Sequence, residues 1–147
     1  MRQSDSDAFT LGENLANTPG KVIFQNELIQ LIHYTPTQEK HYQIPILITP
    51  PFINKYYVLD LDEKKSMVRG LLNADYCVFM ISWVNPTSEL ADYDFTDYMR
   101  KGSLAAIEII KAITKQKQVN LTGFCVGGTL CSMTAAYLRA IGDESIA

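Results

Sequence analysis

Short apolar runs alternate with helical patterns between residues 44 and 142, and this alternation is the feature that most constrains the fold. Three β-rich runs have the length of buried strands, at residues 44–49, 76–82 and 119–122. A helical pattern follows each run, from Asp62 to residue 72, after Asp94, and over residues 126–140. Alternating strands and helices form crossover connections between parallel strands. The sequence therefore predicts an α/β protein with a mostly parallel sheet.

The first 40 residues do not share this regular alternation. They begin with a loose lead-in that ends at the breaker pair Pro19-Gly20. Two apolar stretches follow, at residues 22–24 and 28–34, and both helical and extended patterns fit them. A polar stretch at residues 35–42 separates them from the first regular run. We therefore predict a boundary near residue 40, with an accessory part in residues 1–40 and a core in residues 41–147.

Composition and charge exclude several classes of function. The formal net charge is −3 without a basic stripe, which argues against a nucleic-acid partner. No apolar run reaches the roughly 18 residues of a membrane-spanning helix. The polar start, residues 1–5, does not resemble a secretory signal, so we expect a cytoplasmic protein. The three cysteines have no metal-ligand spacing and predict no disulfide framework; Cys77 is interpreted as core and Cys131 as a packing residue.

One glycine-rich segment, residues 123–128, combines a nucleophile with the turn that would expose it. It reads Gly-Phe-Cys-Val-Gly-Gly and lies between the third β-rich run and the last helical pattern. This is the form of a nucleophile elbow, with Cys125 in the place of the usual serine. Such a turn strains the backbone and leaves no space for nearby Cβ atoms. We expect Gly123 and Gly127 to provide that space, and Gly128 to let the helix pack close to the sheet.

Two backbone N–H groups are predicted to stabilise an oxyanion beside Cys125. The first belongs to Val126, which directly follows the nucleophile at the N-terminus of a helix. The second donor of such sites comes from the loop after the first core strand, here residues 50–54. Its two prolines carry no N–H, although they would equally well serve only to end the strand. The remaining candidate donors are Phe52, Ile53 and Asn54.

Several segments together resemble polyhydroxyalkanoate synthases. Residues 123–129 resemble the lipase-like box of that family, in which cysteine replaces serine. Other segments resemble the family in the same order, at residues 14–22, 26–32, 50–61 and 82–86. The resemblance covers about residues 9–140 and is strongest to the single-subunit synthases. Val84 and Thr87 depart from it, because the family usually carries a basic and an acidic residue at these positions.

The resemblance implies a fold and an activity. Residues 41–147 would be the first half of an α/β-hydrolase fold, which ends after the elbow helix. Residues 1–40 would be the last part of the N-terminal region of a synthase. The activity would be an acyltransferase that takes (R)-3-hydroxyacyl-coenzyme A, holds the acyl group on Cys125, releases coenzyme A and lengthens a polyester chain. No cofactor or metal is expected. The implied partners are the polyester granule and a second copy of the chain in a dimer.

The resemblance also implies further site residues. An Asp and a His that follow the cysteine in chain order would complete the site. The family uses the positions of Asp60 and Ser66 as well, which the local sequence interprets only as a turn residue and an exposed helix residue. The histidines of this chain, His33 and His41, both precede the elbow, in an apolar stretch and a polar loop. Without that Asp and His, we expect negligible turnover from the 147 residues alone. We also expect them to fold poorly, because the far edge of the strand before the elbow would be unpaired.

Two other functions are compatible with the sequence. An α/β-hydrolase such as a thioesterase or lipase would pass the acyl group to water, and its product would be a free acid rather than a polymer. A non-catalytic protein would instead bind a synthase or a polyester granule. Such a protein would sediment with granules without releasing coenzyme A.

Overall fold

The computed structural model describes residues 7–147, and in this part of the chain five strands form one sheet in the order β1-β2-β4-β3-β5. Residues 1–5, on which the targeting prediction rests, lie outside the described range. The strands are β1 (Gly20–Gln25), β2 (Ile29–Tyr34), β3 (Ile46–Thr49), β4 (Val78–Trp83) and β5 (Asn120–Gly123).

Helices connect the parallel strands, as the alternation predicts. They are α1 (Met67–Asn73), α2 (Phe95–Asp97), a π-helical segment (Tyr98–Leu104) that continues into α3 (Ala105–Thr114), and α4 (Val126–Ala140); single 3-10 turns lie at Tyr56–Leu59 and Ser88–Leu90. Among the described residues, no helix is long and apolar enough to cross a bilayer.

Two helix starts test the capping predictions. Asp94 caps the long helical region as predicted, because its carboxylate accepts hydrogen bonds from the N–H groups of Thr96 and Asp97. The predicted start at Asp62 is wrong. Its carboxylate accepts instead from two N–H groups of a local turn, and the N-cap of α1 is Ser66, whose hydroxyl accepts from the N–H of Arg69 at 3.0 Å.

The parallel part of the sheet is buried on both faces. Alternate residues of β3 belong to different clusters: Leu47 packs with α3 and α4, whereas Ile46 and Ile48 pack with α1. Strands covered by helices on both sides consist of continuous apolar runs, which explains the sequence pattern. The predicted α/β class with crossover helices is confirmed.

The first strands make the sheet mixed. β1 pairs antiparallel with β2, and β2 pairs antiparallel with β4, so both ambiguous apolar stretches are extended. Leu28, Ile29 and Leu31 are buried in the same cluster as the core strands. The predicted boundary near residue 40 remains a prediction, although the sheet itself continues across it.

The three parallel strands end at one edge of the sheet, which we call the carboxyl edge. Thr49 at the end of β3 pairs directly with Gly123 at the end of β5. The loop after β3, the end of β4 and the segment after β5 therefore meet at this edge. In open α/β sheets, ligands bind outside the carboxyl ends of the strands.

Candidate active site

Cys125 lies at the junction between β5 and α4, with its thiol exposed. It is the N-cap residue of α4 and has φ 55° and ψ −128°. A residue other than glycine rarely adopts a positive φ, and such strain concentrates at functional sites. The backbone thus turns sharply here and presents the sulfur to solvent beside the first turn of a 15-residue helix.

Contact between backbone segments explains the glycine at position 123. A Cβ atom on Gly123 would lie 2.5 Å from Cα of Gly128 and 2.6 Å from the carbonyl oxygen of Gly127. The end of β5 and the first turn of α4 are therefore too close for any side chain at this position. This lack of space agrees with the role that we expect for Gly123, two residues before Cys125.

Gly127 fits the helix against the loop after β3. A Cβ atom there would lie 2.1 Å from the carbonyl oxygen of Thr49 and 2.8 Å from that of Pro50. At Gly128 the nearest atom, the Gly123 oxygen, is at an ordinary contact distance of 3.4 Å. The backbone of Gly128 thus lies close to the end of β5, but a side chain would collide at Gly127, because that side of the helix faces the end of β3.

The candidate oxyanion donors approach the elbow from two directions. Val126 is the first residue of α4, so its N–H lies among those that have no acceptor within the helix. In the loop after β3, the N–H of Asn54 already donates to the carbonyl of Pro51 at 3.1 Å. Because this turn already uses the N–H of Asn54, we favour Phe52 and Ile53 as the candidates in this loop.

The sequence interpretation did not assign a role to Trp83, the last residue of β4. Its indole Nε1 donates to the carbonyl of Pro50 at 2.8 Å, and its side chain is buried. Phe52, Phe95 and Tyr98 form an aromatic cluster with it. The available signal was a lone tryptophan at the end of a buried strand, within a segment noted only for its family resemblance.

A cleft of about 400 Å³ opens at the carboxyl edge beside the candidate oxyanion loop. Phe52, Ile53, Trp83 and Tyr98 contribute to its lining, and Lys55 and Asn85 hydrogen-bond to each other at its polar side. A larger open depression of about 750 Å³ lies at the opposite edge, lined mainly by charged and amide side chains. Because none of the predicted site residues lines that depression, we place the candidate site at the carboxyl edge.

The other two cysteines differ from Cys125 in their surroundings. Cys77 and Cys131 are both buried, and burial raises the pKa of each thiol. A buried thiol that stays protonated is inert, since the thiolate is the nucleophile. The expected packing roles of both residues agree with these positions.

The two histidines do not reach the elbow. His33 lies in β2, three strand spacings of about 4.8 Å from β5, which places it about 14 Å away. A general base must come within about 3 Å of the proton it removes. His33 instead stacks on Phe79, with ring centroids 4.4 Å apart, and His41 is exposed in the stretch before β3. We therefore assign neither histidine as the base.

Asp60 and Ser66 form a hydrogen-bonded group with Thr18, which we call the Asp60 cluster. Asp60 Oδ1 accepts from the hydroxyls of Thr18 at 2.5 Å and Ser66 at 2.6 Å. Asp60 is only 1% exposed, so its interpretation as an ordinary turn residue is wrong. Ser66 is half-buried as a helix cap rather than an exposed helix residue. The cluster lies by α1, whereas α4 packs on the other face of the sheet.

Comparison with known proteins identifies similar sequences. Residues 1–71 match the family described as poly-beta-hydroxybutyrate polymerase (PhaC) N-terminus. The chain is 47% identical over 146 residues to the poly(3-hydroxyalkanoate) polymerase of Methylorubrum extorquens, covering 99% of this chain and 24% of that one. It is 42% identical to the polymerase subunit PhaC of Cupriavidus necator over 147 residues, which cover 100% of this chain and 25% of the relative. The chain thus spans about a quarter of the length of these relatives.

Solved structures with low sequence identity share the fold. The epoxide hydrolase of Vigna radiata matches with a TM-score of 0.59 at 14% identity, over 89% of this chain and 38% of that chain. A bacterial membrane phospholipase A matches with a TM-score of 0.59 at 17% identity, over the same shares. These neighbours have the α/β-hydrolase fold, and the predicted fold class is confirmed.

Proposed function

The chain belongs to the poly(3-hydroxyalkanoate) polymerase family, and from this premise we propose that Cys125 is the nucleophile that accepts an (R)-3-hydroxyacyl group from coenzyme A during polyester synthesis. The observation that carries the proposal is the exposed thiol on a strained turn between β5 and α4. A cysteine suits the reaction because a thioester passes to another thioester. The transfer is close to thermoneutral, and the acyl group stays activated.

The elbow supports the first half of the reaction. A general base takes the proton of the Cys125 thiol, and the sulfur attacks the thioester carbonyl. A carbon–sulfur bond forms, and the carbonyl oxygen becomes an oxyanion. The N–H of Val126 and one N–H from Phe52 or Ile53 stabilise that charge. The bond between the carbonyl carbon and the coenzyme A sulfur then breaks, and coenzyme A leaves as a thiolate. The acyl group remains on Cys125 as a thioester.

In the second half, a hydroxyl group of monomer or growing chain attacks the acyl-cysteine. A general base takes the hydroxyl proton, the new ester bond forms, and the Cys125 thiolate is released. The family resemblance implies a His and an Asp for this role, and neither His33 nor His41 is near Cys125. We propose that residues 1–147 alone show negligible turnover and that the base comes from outside them.

The deciding experiment replaces Cys125 in the longest natural chain that carries this segment. We expect Cys125→Ala to lower coenzyme A release more than about 1,000-fold, because the covalent intermediate cannot form. Cys131→Ala is the matched control, since that thiol is buried. Polymer formation that survives Cys125→Ala would contradict the proposal. Free hydroxy acid as the main product of the unaltered chain would indicate a hydrolase instead.

We propose two further properties that follow from the family alone. The complete protein associates with polyester granules in the cytoplasm, and it acts as a homodimer. Sedimentation of the protein with isolated granules, and its mass in solution, test these proposals separately. Sedimentation with granules but without coenzyme A release would favour a non-catalytic binding protein.

A further inference from the structure

Trp83 connects the end of β4 to the candidate oxyanion loop. It is the single tryptophan of the sequence and is 8% exposed. Its indole N–H donates to the Pro50 carbonyl at 2.8 Å in buried surroundings. A buried carbonyl that loses its donor is costly, so this hydrogen bond strongly favours one orientation of the peptide group.

The same carbonyl group also lies against the first turn of α4. The site of a Cβ atom on Gly127 lies 2.8 Å from the Pro50 oxygen and 2.9 Å from the Pro50 carbonyl carbon. The peptide group after Pro50 is therefore held between the Trp83 indole and the first turn of α4. This contact links the position of the loop to the position of the elbow.

The orientation of this peptide group controls the next donor. Its nitrogen belongs to Pro51, whose ring fixes φ near about −65°. Only the ψ angle of Pro51 is then free to set the direction of the Phe52 N–H. Because the Pro50 carbonyl is fixed, few orientations remain for the first N–H of the loop.

The surroundings of Trp83 are built for its large ring. A Cβ atom on Gly102 would lie 2.5 Å from Cη2 of the indole, so the ring packs directly on the backbone of the π-helical segment. On the loop side, the Phe52 ring meets the indole edge-on, with centroids 6.0 Å apart, and Tyr98 packs on both rings at 5.4 Å and 4.5 Å. The ring and its N–H are thus held in one position.

Resting on the proposed function, we propose that Trp83 is a positioning residue for acyl transfer. Its indole N–H holds the Pro50 carbonyl so that an N–H of Phe52 or Ile53 points to the oxyanion formed at Cys125. Trp83 does not touch the reacting atoms in this role. Its loss should therefore weaken transition-state stabilisation while substrate binding and the nucleophile stay intact.

The test removes the N–H and keeps the ring. In the longest natural chain with this segment, Trp83 is replaced by β-(3-benzothienyl)alanine, in which sulfur takes the place of the indole N–H, and separately by Phe. We expect kcat for coenzyme A release to fall at least about tenfold for both. In the benzothienyl variant, which keeps the ring that lines the cleft, KM should change less than about twofold. The rate at which iodoacetamide alkylates Cys125, followed by mass spectrometry, should stay within about twofold of the original. Ile110→Val is the core control and should leave kcat unchanged.

The outcomes separate this inference from the proposed function. An unchanged kcat in the benzothienyl variant, with Cys125→Ala inactive, would overturn the positioning role alone. A rise of KM at constant kcat would also overturn it, because it would assign Trp83 to substrate binding. Activity that persists in Cys125→Ala would instead remove the proposed function itself. Gly102→Ala, which displaces the ring but keeps the N–H, should lower kcat in the same way as the Trp83 variants.

Discussion

The elbow and the Asp60 cluster each join distant parts of the chain, but they do so in opposite ways. At the elbow, the Cys125 side chain is exposed on a backbone with positive φ, and neighbouring backbone segments hold the turn by direct contact. In the Asp60 cluster, the charged side chain is 1% exposed, and two hydroxyl groups hold it by short hydrogen bonds. The first arrangement exposes a side chain to solvent, whereas the second excludes solvent from one.

This difference agrees with the proposal that the elbow reacts, and it suggests a supporting role for the Asp60 cluster. Two hydroxyl groups donate to Oδ1 of Asp60, its Oδ2 has no partner among the described residues, and the whole group is inaccessible to a substrate. The cluster attaches residues 16–18 to the region before α1, since the backbone carbonyl of Asp60 also accepts from the N–H of Ala16 at 3.1 Å. We therefore interpret Asp60 and Ser66 as residues that support the fold, and Cys125 as the one that reacts. The comparison can be tested by substitutions in each region.

The largest effect on stability is expected at Gly127. In Gly127→Ala, the new Cβ atom would overlap the Thr49 carbonyl oxygen at 2.1 Å, and only backbone movement could relieve this contact. We expect the free energy of unfolding to fall by more than about 4 kcal/mol, or the protein not to fold. Urea denaturation of the longest natural chain with this segment, followed by circular dichroism, measures the change.

Gly128→Ala is the matched control for this prediction. It adds the same methyl group one residue later in α4, where the nearest atom is at 3.4 Å. Alanine is favoured over glycine in helices by about 0.5–1 kcal/mol, so this variant should be neutral or slightly more stable. Equal losses in the two variants would show that contact between the loop and helix does not set the geometry of the elbow.

A smaller effect is expected at Asp60. Asp60→Ala leaves the hydroxyls of Thr18 and Ser66 without their charged acceptor, and hydrogen bonds to charged groups contribute about 1.5–3 kcal/mol each. Because the two losses are not fully additive, we expect a destabilisation of about 3 kcal/mol, measured by the same denaturation. Activity per folded molecule should stay unchanged, since the cluster does not contact the elbow in this interpretation.

Asp62→Ala is the control for Asp60. The Asp62 carboxylate also accepts two hydrogen bonds, from the backbone N–H groups of Lys64 and Lys65, but it lies in an exposed turn. Its removal should cost less than about 1 kcal/mol, because water replaces the lost hydrogen bonds. If Asp60→Ala abolished acyl transfer without loss of stability, the division between a reacting and a supporting region would be wrong.

The sequence alone predicted the features that depend on neighbours along the chain. The α/β class follows from the alternation of patterns, and the glycine at position 123 follows from the local geometry of a tight turn. The capping role of Asp94 is also local, because the bonds it accepts come from residues two and three positions ahead.

The features that were missed depend on contacts between distant segments. Trp83 and Pro50 are 33 residues apart, and Thr18 and Asp60 are 42 residues apart. Neither pair has a periodic signal, since each meets only after the strands have paired. The error at Asp62 has a related cause: a carboxylate that caps a turn and one that caps a helix have the same local sequence, and packing decides where the helix begins.

The smallest expected effect concerns His33, which lies in neither the elbow nor the Asp60 cluster. An effect of pH on stability that comes from His33 is therefore independent of the candidate site. Burial lowers the pKa of His33, and the positive charge of His41 lowers it further. The unfolded chain therefore binds a proton more readily than the folded one, and stability should fall as the pH decreases from about 6.5, the ordinary pKa of histidine.

The His33→Gln variant tests this prediction. In it, this contribution to the pH dependence of the free energy of unfolding should disappear, and urea denaturation at several pH values measures that dependence. His41→Gln, at an exposed position, should keep most of this pH dependence, because burial is the larger cause of the lowered pKa of His33. If the pH dependence of stability were unchanged in His33→Gln, the prediction would be wrong. The loss of stability in acid would then come from carboxylates, and the Asp60 cluster would be the first region to test.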